Sequence, residues 1–276
     1  MGSIGWDAES ETQNARTDVT VLVTGFGPFQ EKYPVNPSFE ITRLLPEVLP
    51  RLTVDGRKIH IIAYDTPVRV CYDEVRTLVP VLHDSLKTSV DLVLHIGMAS
   101  GRTFYTAELY GHRDGYSKNK DLDGKTVSTE DGLEYFGDCP AMMTTSLDYD
   151  EVLRGWNLNL LKVPEDSPGF GAECRPSENA GHYLCDYIYY NSLAWYGRQH
   201  NRLDGGEASD RPVLFLHVPA DSSPEALARG KQVTLALIQS MVDSWCLSEV
   251  SRNMLRDQRA VPLNSLSEMS TLSAGS

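Results

Sequence analysis

Three side chains far apart in the chain, Cys185, His217 and Glu108, could together carry out nucleophilic chemistry. A thiol becomes an effective nucleophile when a base takes its proton. An imidazole serves as that base when an acceptor orients its other nitrogen. Cysteine, histidine and glutamate supply these three roles. Each also has a plain alternative. Free cysteine is among the most buried residue types. His217, between Phe/Leu and Val-Pro, suits a core histidine bonded to a backbone carbonyl. A surface carboxylate is usually just solvated. Residue type alone leaves both readings open.

The elements around these residues narrow the choice. Residues 177–196 read SENAGHYLCDYIYYNSLAWY. Cap-type Ser177 and Asn179 and the small pair Ala180-Gly181 precede Leu184, Ile188 and Leu193 at helical spacing, which predicts a helix entered from a turn. Cys185 then lies near the positive end of the helix dipole, an environment expected to favour thiolate over thiol. His217 lies near the end of a short apolar strand, 213–218 (VLFLHV). Glu108 follows a second such strand, 91–97 (DLVLHIG). Ligands of open α/β sheets gather where strands end and loops begin.

The rest of the chain supplies the frame. Residues 19–24 are a β-branched strand running into Gly25-Phe26-Gly27-Pro28-Phe29. Residues 39–49 read as a helix, 57–63 as a strand, and 68–86 as a helix that Pro80 should kink or divide. Residues 111–124 and most of 127–140 read as loop, 148–161 as a possible helix, 199–211 as surface loop, and 223–250 as a long amphipathic helix. Strands alternating with helices, with no repeat or internal linker, indicate one α/β domain of three layers over 18–250. Residues 1–17 are expected to form a mobile arm and 251–276 a loosely held tail.

Composition removes several function classes. Of 276 residues 41% are hydrophobic, enough for a sizeable core, and 38 acidic against 25 basic residues give a net charge of −13. That balance argues against a nucleic-acid surface. No stretch is long and apolar enough to cross a bilayer, so no membrane partner is expected. The five cysteines are odd in number and match no metal spacing, and Asp7, Glu9 and Glu11 stand where a basic-then-apolar leader would begin. The expectation is a reduced, cytoplasmic protein with free thiols. Gly25-Phe-Gly-Pro-Phe29 also lacks the full dinucleotide glycine fingerprint, so no NAD is expected.

Four blocks, in order, resemble the pyroglutamyl peptidase I (pyrrolidone-carboxylate peptidase) family of cysteine peptidases. They are Val21-Leu-Val-Thr-Gly-Phe-Gly-Pro-Phe29 with Asn36-Pro37-Ser38; His95-Ile-Gly97 with Glu108 and Gly111-His112; Asn179-Ala-Gly-His-Tyr-Leu-Cys185-Asp; and Phe215-Leu-His217-Val-Pro219. The resemblance implies an α/β/α sandwich with a twisted, mostly parallel central sheet. It also implies a Glu108–Cys185–His217 exopeptidase that removes N-terminal pyroglutamate from peptides without metal or cofactor. By the same resemblance, Phe26 and Phe29 line the ring slot and Asn36 positions the turn; the alternative for the two phenylalanines is ordinary core. Gln30 stands where many members have glycine, Asn179 replaces a common aspartate, and the segments on either side of Cys185 are longer. These departures bear on pocket shape, rate and assembly. Competing readings are a hydrolase for a different N-terminal acyl group, a binding protein that keeps the fold without turnover, and a purine-phosphorylase-like enzyme. The last should carry phosphate-binding basic or glycine-rich elements, which the sequence lacks.

Overall fold

The computed structural model describes residues 18–86 and 90–260, with the side chains of 252, 253 and 255–260 excepted. The expected arm, 1–17, and residues 261–276 of the expected tail lie outside the described residues. A six-stranded sheet has the order β2 (Ile59–Ala63), β1 (Val19–Gly25), β3 (Leu92–Met98), β8 (Val213–Val218), β4 (Tyr105–Glu108), β7 (Cys174–Ser177). The first four are parallel. β4 runs antiparallel to β8, and β7 runs parallel to β4. β3 and β8 are buried along their whole length. This explains why both read as unbroken apolar runs: helices cover both faces of a parallel sheet, so neither side of a strand can be polar without a partner.

Helices α1 (Pro37–Arg43), α4 (Tyr149–Leu161) and α6 (Pro224–Ala260) cover one face. Their core includes Ile41, Trp156 and Leu237 against Val21, Leu94 and Leu216. Trp156 is fully buried with its indole N–H on Val233 O at 3.0 Å; truncating such a side chain costs about 3–5 kcal/mol. Helices α2 (Tyr72–Leu86), α3 (Thr129–Phe136) and α5 (Leu184–Gln199) cover the other face, where Phe136, Ile188 and Tyr190 pack with Leu22, Val93 and Phe215. A small antiparallel pair, β5 (Tyr110–His112) and β6 (Met142–Thr144), stands apart from the main sheet. These are the three layers expected.

Several boundaries differ from the sequence reading for identifiable reasons. α1 starts earlier, capped by Asn36 with Pro37 in its first turn, and stops at Arg43. Pro46 disfavours helical geometry at the residue before it. α2 runs unbroken through Pro80, which sits on the exposed side, where water can serve the carbonyl that proline leaves unbonded. α3 occupies a segment expected to be loop. A reciprocal capping box between Ser128 and Asp131 starts it. α6 continues to Ala260, ten residues beyond the expected end of the helix and into the expected tail.

Candidate active site

Strand alternation decides what can meet. Along β8, Leu214, Leu216 and Val218 enter the α6-side core, so Val213, Phe215 and His217 face α5. Along β3, Leu92, Leu94 and Ile96 face α6, leaving Val93, His95 and Gly97 toward α5. Along β4, Tyr105 and Ala107 face α6 and leave Thr106 and Glu108 toward α5. Gly97 and Thr106 are the register partners of His217 on either side. The imidazole therefore stands between a strand position without a side chain and one with a hydroxyl.

Cys185, the second residue of α5, reaches down to this point. A Cβ placed on Gly97 would lie 2.6 Å from Cys185 Sγ and 2.7 Å from Phe215 Cζ, so only glycine leaves room for the sulfur. The sulfur and His217 thus occupy the same face of the sheet, over neighbouring strands. Among the described residues no hydrogen bond joins Sγ to the imidazole; such bonds are often long until substrate is bound. On the far side of the ring, His217 Nδ1 is 2.8 Å from Glu108 Oε1. With Nδ1–H donating to the carboxylate, Nε2 is the nitrogen that can take a proton.

Glu108 is completely buried and held by more than the histidine. Arg102 Nη1 donates to Oε1 at 2.6 Å, and the Thr106 hydroxyl donates at 2.7 Å. Arg102 Nη2 also donates to Asn179 O at 3.0 Å, tying the carboxylate to the turn before α5. Burial works to raise the Glu108 pKa, but the His217 bond and charge, with Thr106, bring it below the ordinary value. The carboxylate is therefore ionised near neutrality. Arg102 and Thr106 are not singled out by the sequence reading. The usable signal is the Thr-x-Glu alternation, which puts Thr106 and Glu108 on one face of a strand.

The thiol differs from its sequence-based expectation. Burial, then the charges of Glu108 and Asp186, push the Cys185 pKa up, opposed by Arg102. Burial and the two carboxylates thus favour the thiol, against the direction expected from the helix start. The caps also differ. Ser177 lies on β7, and Asn179 Oδ1 accepts from Gly181 N at 2.9 Å within the turn. The N-cap of α5 is Tyr183, whose side chain makes no capping bond. The first backbone N–H groups of α5, Cys185's among them, therefore have no side-chain cap.

The three expected slot residues part company. Asn36 is buried: its Nδ2 donates to Gly27 O at 2.9 Å and its Oδ1 accepts from Ser38 N at 3.1 Å, so it fixes the turn after β1. Phe26 is 3% exposed and packs in the α5-side core. Phe29 is half-buried, its ring 6.2 Å from that of Tyr183. It borders a cavity of about 440 Å³ with Gln30, Asn119, Lys120 and Tyr183.

Fold and site together define a three-layer α/β protein of the cysteine-peptidase class. The family model for pyroglutamyl peptidase matches residues 19–145. The chain is 31% identical over 229 residues to pyroglutamyl-peptidase 1 of Homo sapiens, covering 81% of this chain and 90% of that one. It is 26% identical over 229 residues to the pyrrolidone-carboxylate peptidase of Thermosipho africanus, covering 81% and 92%. Among solved structures, the pyrrolidone carboxyl peptidase of Thermococcus litoralis superposes with a TM-score of 0.62 at 18% identity, over 82% of this chain and 94% of that one, a likeness of fold. The chain belongs to the pyroglutamyl peptidase family.

Proposed function

We propose that this protein is a cysteine exopeptidase that releases the N-terminal pyroglutamyl residue from peptides. The observation that carries the reading is the carboxylate-held imidazole of His217 on the same sheet face as the Cys185 sulfur, in a chain of this family. Cys185 is the nucleophile, His217 the base and Glu108 the residue that orients it. Because the resting sulfur is a thiol, its proton moves to His217 Nε2 as Sγ attacks the pyroglutamyl carbonyl carbon. The tetrahedral oxyanion sits at the first amides of α5. Collapse breaks the C–N bond, and Nε2 returns the proton to the departing amine. Water, deprotonated by the same nitrogen, then hydrolyses the thioester.

Phe29 and Tyr183 offer an apolar wall for a small flat lactam, and Asn36 holds the turn that carries Phe29. Phe26 supports that turn from the core. Gln30 and Lys120 on the same cavity favour one second reading, a larger or more polar N-terminal acyl group. The free thiols among the described residues support a reducing, cytoplasmic setting. No described helix is long and apolar enough to cross a membrane.

The deciding experiment incubates the purified protein with a panel of N-terminally blocked peptides. Only pyroglutamyl peptides should be cleaved, with thiol reagent abolishing release and chelator leaving it unchanged. Cys185→Ala should reduce turnover of pyroglutamyl-aminomethylcoumarin by about 10⁴-fold or more. Wild-type turnover in that variant would remove the nucleophile assignment.

A further inference from the structure

A second group of donors converges one residue away from the sulfur, and the proposed reaction makes no use of it. Asp186, fully buried in the first turn of α5, accepts the backbone N–H of His112 at 2.8 Å. His112 Nδ1, on β5, is 3.0 Å from Asp186 Oδ2. His182 Nδ1, in the turn before α5, is 3.3 Å from the same oxygen. One donor atom from each residue lies within 4.8 Å of the others. His182 Nδ1 is itself buried and makes no hydrogen bond, so the carboxylate lies near it but off the bonding direction. A buried ring nitrogen without a partner is an unmet demand.

The backbone is arranged to bring that ring in. His182 has φ 47°, the left-handed region that residues other than glycine seldom adopt. It packs over Gly115, where a Cβ would come within 2.8 Å of His182 Nδ1. A cation could be bound by one lone pair from each of the three residues. Donors on a tetrahedral ion with bonds near 2.0–2.1 Å lie about 3.3 Å apart; the two imidazole nitrogens stand 3.0 and 3.3 Å from Asp186 Oδ2, and the third separation is within 4.8 Å. Two imidazoles and one carboxylate suit zinc and its neighbours, whereas magnesium and calcium want oxygen.

We propose that His112, His182 and Asp186 form a site for a divalent transition-metal ion of the zinc class, with water completing the tetrahedron. The ion would tie β5 to the turn entering α5. No bond-making step of the proposed peptidase chemistry passes through it, although Asp186 is one of the charges that act on Cys185.

The test titrates the full chain, first dialysed against chelator, with Co²⁺ at neutral pH and follows visible absorption, with Zn²⁺ as competitor. One equivalent should give the bands of a tetrahedral nitrogen–oxygen site, without sulfur-to-metal charge transfer. Zn²⁺ should displace it. Cys185→Ser should bind unchanged. His182→Asn keeps a residue tolerant of the left-handed backbone and removes the ring nitrogen. It should weaken binding by about tenfold or more, since losing a direct donor costs at least as much as losing an outer-shell one. The inference is overturned by a colourless titration, by binding that His182→Asn leaves intact, or by binding that Cys185→Ser abolishes, which would mark capture by the thiol.

Discussion

His95 and His217 hang from the same face of the sheet on neighbouring strands, both buried, yet they live in different chemistry. His95 has only hydroxyl partners: Nδ1 is 2.7 Å from Thr24 Oγ1 and Nε2 is 2.7 Å from Ser192 Oγ, which also meets His83 Nε2 at 3.0 Å. Burial, with His83 adding to it, pushes the His95 pKa well below its ordinary value. Hydroxyls can donate or accept as a neutral ring requires, so this network holds the core together and carries no charge. His217 has a carboxylate partner, itself held by Arg102 and Thr106. Burial is common to both rings. The partner is what differs: hydroxyls for one, a carboxylate for the other.

That contrast can be broken in several ways, in order of expected effect. His217→Ala should lower kcat/KM for a pyroglutamyl reporter by about 10³–10⁴-fold. It should also change the pH dependence of iodoacetamide labelling of Cys185; an unchanged labelling profile would separate thiol from imidazole. Gly97→Ala drives a methyl into Sγ and the Phe215 ring. Turnover should fall by about 10²-fold from misplacement of the sulfur, with about 1–3 kcal/mol lost in denaturant unfolding. His95→Gln should act the other way round: about 1–3 kcal/mol of stability lost through orphaned hydroxyls, with turnover within about tenfold of wild type.

A separate effect, confined to acid conditions, concerns pH. The His83 pKa is pushed down by burial to about 3 from an ordinary 6.5, and His95 moves in the same direction. Below about 6.5 the unfolded chain binds protons that these folded rings refuse. Stability should therefore decline as pH falls from about 6.5 toward 3, by up to about 1.4 kcal/mol per pH unit for each ring. Glu108, with its lowered value, adds stability that is present above the ordinary carboxylate range and lost as pH drops through the folded value. Calorimetric Tm against pH should show the acid limb flattened in His95→Gln.

The central strands were legible because β3 and β8 are buried on both faces and leave unbroken apolar runs. Strand ends and a helix start made Cys185, His217 and Glu108 candidates only; the ordered resemblance of four blocks is what singled them out. The plain alternative weighed for His217, a core histidine on a backbone carbonyl, differs from what is seen: its Nδ1 meets the Glu108 carboxylate, while the buried His95 meets two hydroxyls. α3 was missed because Gly132, Gly137 and Pro140 dominate the segment, although Ser128 and Asp131 already carried its start signal. β5 and β6 are three residues each, too short for any period to register. The expectation of a thiolate considered the helix dipole alone. Glu108, brought in from across the sheet, and the burial of both the sulfur and its neighbour Asp186 take effect only once the fold is assembled.

The missing side chain at position 97 has a consequence for access. Beneath the sulfur there is no depth: strand backbone and the Phe215 ring close that side. An approaching carbonyl must therefore meet the sulfur on the side away from Gly97 and Phe215. A closed floor of this kind sets how deep the acyl group can sit, and a small terminal ring asks for little depth.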